Sequence, residues 1–243
     1  GDPVDEVPAI ADEVGADTVY VSKDFGPYGR RRDEQVADAL RGGGRGLRGV
    51  GSPDAVAPGG GLKPDGAPYA VVTPFSRRWR EHGWDDPIDA PSSPNWVGAT
   101  SDGLPDRPDI DVAIDSSGED DVMARWRGFR DEGLGGYGER RNFPAIEGTS
   151  RLSPYLKYGV IHPRQLLAES DPQDEDHRTF RSELAWRDFY ADVLHRKPLT
   201  AWQNLDQRFD RIRLDTDAAA REKFERWCAG RTGFPIVDAG MRQ

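Results

Sequence analysis

Residues 137–159 read YGERRNFPAIEGTSRLSPYLKYG, a stretch that places three hydroxyl groups and a guanidinium just before a short predicted helix. Thr149, Ser150 and Ser153 supply the hydroxyls, and Arg151 supplies the guanidinium. The free N–H groups and the dipole at a helix N-terminus attract anions, and arginine pairs bidentately with phosphate oxygens. The pattern therefore fits a pyrophosphate site. An ordinary helix cap beside a surface arginine explains it as well.

A second group of side chains lies on one face of a long predicted helix, residues 174–195. The side chains at positions i, i+3, i+4 and i+7 are Glu183, Trp186, Arg187 and Tyr190. They occupy an arc of roughly 100°. A core face would be aliphatic, whereas aromatic and arginine side chains together stack on bases. A groove that binds bases and a core tryptophan beside an exposed Glu–Arg pair both remain open.

The last segment of the sequence is a predicted turn and helix, GRTGFPIVDAGMRQ at residues 230–243. Pro235 opens the helix. Asp238 and Arg242 are spaced i, i+4 and predict an ion pair. Because the predicted helix is cut at its ninth residue, we expect the protein to continue.

The sequence before residue 85 alternates between helical and strand patterns, which indicates a parallel α/β layer. Helices are predicted at 3–14, 33–40 and 75–82, and strands at 18–21, 47–50 and 69–73. A sheet usually has about five strands. Because three are visible and none precedes residue 3, we expect an incomplete sheet in a protein whose start is missing.

Residues 122–243 show no strand pattern and are predicted to be all-helical. Helices are expected at 122–131, 155–158, 162–168, 174–195, 218–229 and from 235 onward. Ser153 is the expected N-cap of the second, because proline follows it at the first helical position.

The segment between these two parts holds the net negative charge of the chain. Residues 1–84 carry a net charge of −2 and residues 122–243 a net charge of +2. Residues 85–121 carry 11 acidic residues, one basic residue (Arg107) and five prolines. This composition is typical of an interdomain linker, and a solvated surface loop differs from it only in degree. The total charge of −10 is therefore no argument against nucleic-acid binding by the flanking parts.

The predicted fold is thus an incomplete α/β, Rossmann-like N-terminal domain (1–84), a long acidic linker (85–121) and an all-α C-terminal domain (122–243). A single cysteine, Cys228, excludes an internal disulfide and a cysteine-based zinc site, and the four histidines show no metal-ligand spacing. No apolar run approaches 18 residues, so no membrane span is expected. Without a signal-peptide pattern, we expect the reducing cytoplasm as the compartment.

Three of these segments, in this order, resemble the flavin-domain signatures of the photolyase/cryptochrome family. They are GTSRLSPYLKYG (148–159), ELAWRDFY (183–190) and GRTGFPIVDAGMRQ (230–243). The N-terminal segments GPYGRRRD (26–33) and GAPYAVVTPFSRRW (66–79) resemble the family's α/β domain. Within the family, the chain most resembles class I cyclobutane pyrimidine dimer photolyases.

The resemblance implies an antenna-binding first domain and a truncated flavin domain, so that the chain is an internal piece of a longer protein. The residues implied to contact FAD, which the family holds in a U shape, are Tyr137, Thr149, Ser150, Arg151, Leu152, Ser153 and Phe180. Phe180 stands where the family often has tryptophan, so an aromatic contact is kept and an indole N–H is lost. Arg187 would lie between flavin and substrate.

A DNA-contacting surface is also implied, with Arg141, Glu183, Trp186, Arg187 and Tyr190. Trp186 would stack against a flipped-out dimer, and Glu183 would hydrogen-bond the pyrimidine carbonyls. These two are the expected catalytic residues. The expected partner is DNA that contains pyrimidine dimers, bound by a monomer.

The implied activity is light-driven repair by a carbon–carbon lyase. Excited, fully reduced FAD donates an electron to the dimer, the cyclobutane ring splits, and the electron returns. The alternative within the family is a cryptochrome photoreceptor without repair, and outside it an α/β plus helical protein with a small-ligand site. Because roughly half of the flavin domain is absent, residues 1–243 alone are expected to be inactive and to bind FAD weakly.

Two departures from the family pattern affect light harvesting and photoreduction. Residues 211–215 read RIRLD, with Leu214 where the family places the outermost tryptophan of its photoreduction chain, so the sequence gives no support to that route. Residues 26–33 lack the Asn–Glu pair of folate-binding members. The resemblance therefore favours 8-hydroxy-5-deazaflavin over methenyltetrahydrofolate as the second, antenna chromophore.

Overall fold

The computed structural model of the chain describes residues 1–60, 63, 65–106, 108, 109 and 118–242. Residues 1–201 form one unit and residues 202–243 another. Arg107 of the predicted linker and Gln243 of the predicted last helix lie outside the described residues. None of the described helices is long and apolar enough to cross a membrane.

The N-terminal part of the first unit is a parallel sheet covered on one face by two helices. Its elements are α1 (Pro3–Glu13), β1 (Thr18–Ser22), α2 (Pro27–Gly42) and β2 (Gly46–Val50). Thr18 pairs with Gly46, and Ser22 with Val50. Alternate strand residues such as Val19 pack against Leu40 of α2, because side chains along a strand alternate between the two faces. The predicted α/β class of this part is confirmed.

The third predicted strand, residues 69–73, is wrong. Within the described part of the chain the sheet has two strands, and helix α3 runs from Val72 to His82. Pro74 lies in the first turn of α3, where its missing N–H removes no helical hydrogen bond. The β-branched run before it therefore leads into a helix.

Five further helices of the first unit are described after residue 118. They are α4 (Glu119–Gly128), α5 (Tyr137–Arg140), α6 (Ser153–Lys157), α7 (Pro163–Ala168) and α8 (Glu175–Arg196). A π-helical turn (Phe129–Gly133) extends α4, and a 3-10 turn (Pro198–Ala201) follows α8. Helix α4 starts three residues earlier than predicted, because three acidic residues in its first turn interact favourably with the helix dipole.

Ser153 is not the N-cap that the sequence predicts. It is the first helical residue of α6, and Leu152 occupies the cap position without a side-chain cap bond. Arg151 has a left-handed backbone with φ of 53°, which is uncommon for a residue with a Cβ. Because of this backbone conformation, α6 begins one residue earlier than the sequence predicts.

The core of the first unit joins α3, α4 and α8 to the loop after β2. Trp79, Trp126 and Ala185 are fully buried in it, together with Ala55 from the loop. Trp79 and Ala55 precede the acidic segment 85–121 in sequence, and the other two follow it. Packing therefore links both sides of that segment, and the domain boundaries at 85–121 stay a prediction.

The second unit contains a 3-10 turn (Gln207–Arg211), α9 (Ala218–Cys228) and α10 (Pro235–Arg242). The Asp238 carboxylate accepts hydrogen bonds from the N–H and hydroxyl of Thr232, both at 2.6 Å, and from the Gly233 N–H at 3.0 Å. These bonds, Thr232 foremost, lower the pKa of Asp238, and Arg242 adds a smaller electrostatic effect. Asp238 thus anchors the Thr–Gly turn rather than serving mainly as the ion-pair partner that its spacing predicts.

Candidate functional site

A large cavity of about 1170 Å³ lies within residues 1–201. Small-molecule pockets are usually about 300–1,000 Å³, so this one has room for a dinucleotide. One wall is the loop before α6, a second is α8, and a third is the loop after β1. The sequence-predicted residues that line it are Tyr137, Thr149, Ser150, Arg151, Leu152, Ser153, Phe180, Glu183 and Arg187.

The loop of residues 148–153 forms the hydroxyl-bearing wall. Leu152 is buried in the core and anchors the loop. A Cβ on Gly148 would lie 2.6 Å from the carbonyl oxygen of Arg140, so the chain needs glycine to pass this close. The Arg151 guanidinium pairs with Glu147 at 2.7 Å, and both side chains are exposed. An exposed pair of this kind is weak and exchanges readily with another anion.

Aromatic rings form another part of the wall. Phe180 stacks on Trp126 with ring centroids 4.8 Å apart, and Tyr137 meets Phe180 edge-on at 5.8 Å. Burial raises the pKa of Tyr137. Phe180 is therefore a core residue and a cavity residue at once, and the packing behind it fixes its ring.

Glu183 lines the cavity, is partly exposed and is ion-paired with Arg141. The Arg141 guanidinium also lies over the Tyr137 ring, 5.7 Å from its centroid. The two DNA-contacting candidates Arg141 and Glu183 are thus brought together, although 42 residues separate them in sequence.

Trp186 and Tyr190 lie outside the set of described residues that line the cavity. Their rings stack at 5.6 Å with an interplanar angle of 22°, and they are 37% and 61% exposed. The predicted helix face therefore divides into two parts. Glu183 and Arg187 face the cavity, whereas the two aromatic residues form a flat platform on the surface of α8.

Arg187 contacts residues that are not among the sequence-predicted site residues. Its guanidinium donates to Asp54 at 2.6 Å and to the Pro53 carbonyl at 2.9 Å. Asp188 is buried beside it, 1% exposed. One signal was present: Asp188 follows Leu184 at i+4 on the buried stripe of α8, and a carboxylate there requires a partner.

Asp188 and Asp54 are buried carboxyl groups close to one another. Burial, and next the charge of Asp54, raise the pKa of Asp188 to about 7. Burial also raises the pKa of Asp54, against the opposing effect of Arg187. At neutral pH these two groups therefore carry fewer charges than two aspartates in water.

Two family models match the chain. Residues 1–94 match the model described as DNA photolyase, and residues 180–243 match the FAD binding domain of DNA photolyase. The second match contains five of the candidates, namely Phe180, Glu183, Trp186, Arg187 and Tyr190. The hydroxyl-bearing loop lies between the two matches.

Known photolyases match the chain over its whole length. A deoxyribodipyrimidine photo-lyase of Synechococcus sp. is 35% identical, and one of Thermus thermophilus is 36% identical; each match covers 100% of this chain and 54% of the relative. The crystal structure of a class III photolyase from Agrobacterium tumefaciens matches with 30% identity and a TM-score of 0.80, covering 100% of this chain and 53% of that one. The chain belongs to the photolyase/cryptochrome family. It spans about half the length of the relatives it matches.

Proposed function

We propose that the protein containing this chain binds FAD in the cavity and uses it to split cyclobutane pyrimidine dimers in DNA under light. The proposal rests on one observation: the hydroxyl-bearing loop, the aromatic wall and Glu183 all line the same cavity. A dinucleotide with a large ring system needs an anion-binding side and a flat apolar side. A repair enzyme also needs a polar opening through which the substrate reaches the ring.

The residues on the cavity wall fit FAD. The hydroxyls of Thr149, Ser150 and Ser153 would hold the pyrophosphate, and Arg151 would turn from Glu147 to pair with it. Phe180 and Tyr137 would bury the ring and exclude water. When bound and reduced, FAD supplies the electron that light drives into the dimer.

The platform on α8 would receive the dimer after it flips out of the duplex. Stacking on exposed aromatic rings offsets part of the cost of unstacking the dimer, and Trp186 is already held flat by Tyr190. Ionised Glu183 would accept from pyrimidine N–H groups and would hydrogen-bond the carbonyls only when protonated. Arg141 beside it would donate to a carbonyl or a phosphate.

The test uses the protein at its full natural length with reduced FAD and an oligothymidylate that carries cyclobutane dimers. Chromatography should show loss of dimers under blue light and none in the dark. Bound flavin without light-dependent loss of dimers would instead identify the cryptochrome alternative. A protein that takes up no flavin would refute both.

For the antenna, we propose 8-hydroxy-5-deazaflavin in preference to methenyltetrahydrofolate. The support is the sequence of residues 26–33, which lacks the Asn–Glu pair associated with folate. Pigment extracted from the purified protein and identified by mass spectrometry would decide between them. A folate would overturn this part of the proposal and leave the FAD site unaffected.

A further inference from the structure

A charged cluster of Asp54, Arg187 and Asp188 lies at the cavity wall, and its two carboxyl groups are buried. The Arg187 Nη1 is 2.6 Å from Asp54 Oδ1 and 3.6 Å from Asp188 Oδ1. Asp54 and Arg187 line the cavity. The cluster therefore connects the loop after β2 to α8, across 133 residues of sequence.

Two hydrogen bonds to Oδ2 fix the Asp188 carboxyl in the cluster. Asp188 Oδ2 accepts from the Val56 N–H at 2.9 Å and from the Trp79 indole N–H at 2.7 Å. Its Oδ1 is buried and accepts from no donor group among the described residues. The Asp54 carboxyl is the neighbouring acid, because its Oδ1 and Asp188 Oδ1 lie 2.6 Å and 3.6 Å from the same Arg187 Nη1. Because an ionised carboxylate only accepts, the buried Asp188 Oδ1 can hydrogen-bond with this neighbour only when one of the two carboxyl groups carries a proton.

We propose that Asp54, supported by Asp188, is a positioning residue that holds the Arg187 guanidinium in the cavity wall, with one proton shared between the two carboxyl groups. The ligand on which Arg187 would act is FAD, so that part rests on the proposed function. The geometry of the cluster does not.

The Asp54–Asp188 pair would position Arg187 by restricting its side-chain rotamers before the ligand binds. A free arginine side chain loses rotamer entropy on binding, and a tethered one has already lost it. With one shared proton the three groups sum to zero charge. Loss of that proton leaves a net negative charge at the wall, which opposes binding of a phosphate. FAD affinity should therefore fall as the pair loses its proton.

Further ionisable groups near the cluster belong to α7, to its N-cap His162 and to α8. His162 contacts the Ser52 carbonyl through Nε2 at 2.8 Å, and burial lowers its pKa, so it adds no charge at neutral pH. Arg164 donates to the Ala55 carbonyl at 3.0 Å. Asp192, one turn along α8, pairs with Arg196 at 2.8 Å. Among the described residues, Arg187 is the cation in ion-pair contact with both carboxyl groups.

Asp192 offers a matched control. It is buried on the same helix and accepts from the Gly59 N–H of the same loop at 2.8 Å, but its ion-pair partner is Arg196 and not Arg187. In the full-length protein, Asp54→Asn should weaken FAD binding in a titration by about tenfold or more. Asp192→Asn should change it by less than about threefold. No effect of Asp54→Asn, or equal losses in both variants, would overturn the proposal.

A double variant separates positioning from general destabilisation. If Asp54 acts through Arg187, the Asp54→Asn, Arg187→Gln protein should bind FAD no more weakly than Arg187→Gln alone. Independent, additive losses would show that Asp54 acts elsewhere.

A readout without FAD keeps the test separate from the proposed function. The indole N–H resonance of Trp79 reports on Asp188, so in the apo protein it should shift with a midpoint near pH 7. The midpoint should move to lower pH in Asp54→Asn, and the titration should vanish in Asp188→Asn. If the protein takes up no FAD, the proposed function fails and this titration still decides the pair. A Trp79 resonance that is constant from roughly pH 5 to 9 would refute the shared proton.

Discussion

Arg141 forms an ion pair with Glu183, which lines the cavity, and the Arg141 guanidinium is packed over the Tyr137 ring. The pair places a cation and an anion side by side next to the cavity. In the proposed function, a DNA phosphate would replace Glu183 as the partner of Arg141, and the carboxylate would then be free to contact the base.

Arg141→Gln in the full-length protein should weaken binding to DNA and reduce its dependence on salt. Each phosphate contact releases counterions, so losing one lowers the slope of log K against log salt by about one. The measurement is a DNA titration at several salt concentrations. Arg127→Gln is the control, because Arg127 also pairs with a glutamate, Glu169, but that partner, unlike Glu183, does not line the described cavity. An unchanged slope in Arg141→Gln would show that Arg141 makes no phosphate contact.

Trp186→Ala should weaken recognition of the dimer and leave the flavin content unchanged. Its ring stacks on Tyr190 at the surface and is 37% exposed, and stacking on a base contributes about 1–3 kcal/mol. Binding of dimer-containing and undamaged oligonucleotides gives the discrimination, and absorbance gives the flavin content. Trp96→Ala, which removes an indole that is 87% exposed, should affect neither. Parallel loss of flavin in Trp186→Ala would mean that Trp186 has a structural role.

Trp126→Ala should destabilise the protein by about 3–5 kcal/mol. The ring is fully buried and supports Phe180 by stacking at 4.8 Å, so its removal leaves a cavity behind the aromatic wall. Denaturant unfolding measures the loss. Surface substitutions usually fall within about 0.5 kcal/mol, and Trp96→Ala should behave in that way. A loss of similar size in both variants would contradict the assigned packing.

Asp188→Asn should change how stability depends on pH. Burial, and next Asp54, raise the pKa of Asp188 from 3.8 to about 7. Between these values the folded wild type keeps a proton that the unfolded chain releases, so its stability falls as pH rises. Asparagine cannot ionise. The free energy of unfolding of the variant relative to wild type should therefore rise from about pH 4 to about pH 7 and then level off.

Urea unfolding at a series of pH values measures this difference. Asp192→Asn again serves as the buried control on the same helix. A relative stability of Asp188→Asn that stays flat between pH 4 and 7 would show that Asp188 ionises in the folded protein as it does in water.

Long, periodic elements were predictable because their pattern repeats over many residues. The helix predicted at 174–195 is α8, Glu175–Arg196, and Asp174 caps it through the His177 N–H at 3.0 Å. The short run at 69–73 was misassigned, because a few β-branched residues fit a strand and the lead into a helix equally well. The prediction of Ser153 as N-cap was wrong because the left-handed backbone of Arg151 precedes the start of α6.

Local sequence also carried most of the candidate site. The hydroxyls and guanidinium of residues 149–153 are consecutive, and the candidates on α8 follow its helical repeat, so their grouping needs no knowledge of the fold. Division of that helix face into cavity and platform depends on what packs against α8, which a helical repeat does not reveal. The ion pair between Arg141 and Glu183 depends on the fold as well.

The partners of Arg187 could not be predicted from the sequence, because they depend on tertiary packing. A carboxylate at Asp188 on a buried stripe implies that a partner exists, because an unpaired buried charge is costly. Nothing local to Asp188 points to Asp54, which precedes Arg187 by 133 residues. Short-range periodicity sets which side chains a helix presents. The tertiary structure determines which distant carboxylate neutralises Arg187, because the loop after β2 packs against α8 and buries Asp54 and Asp188 beside the guanidinium.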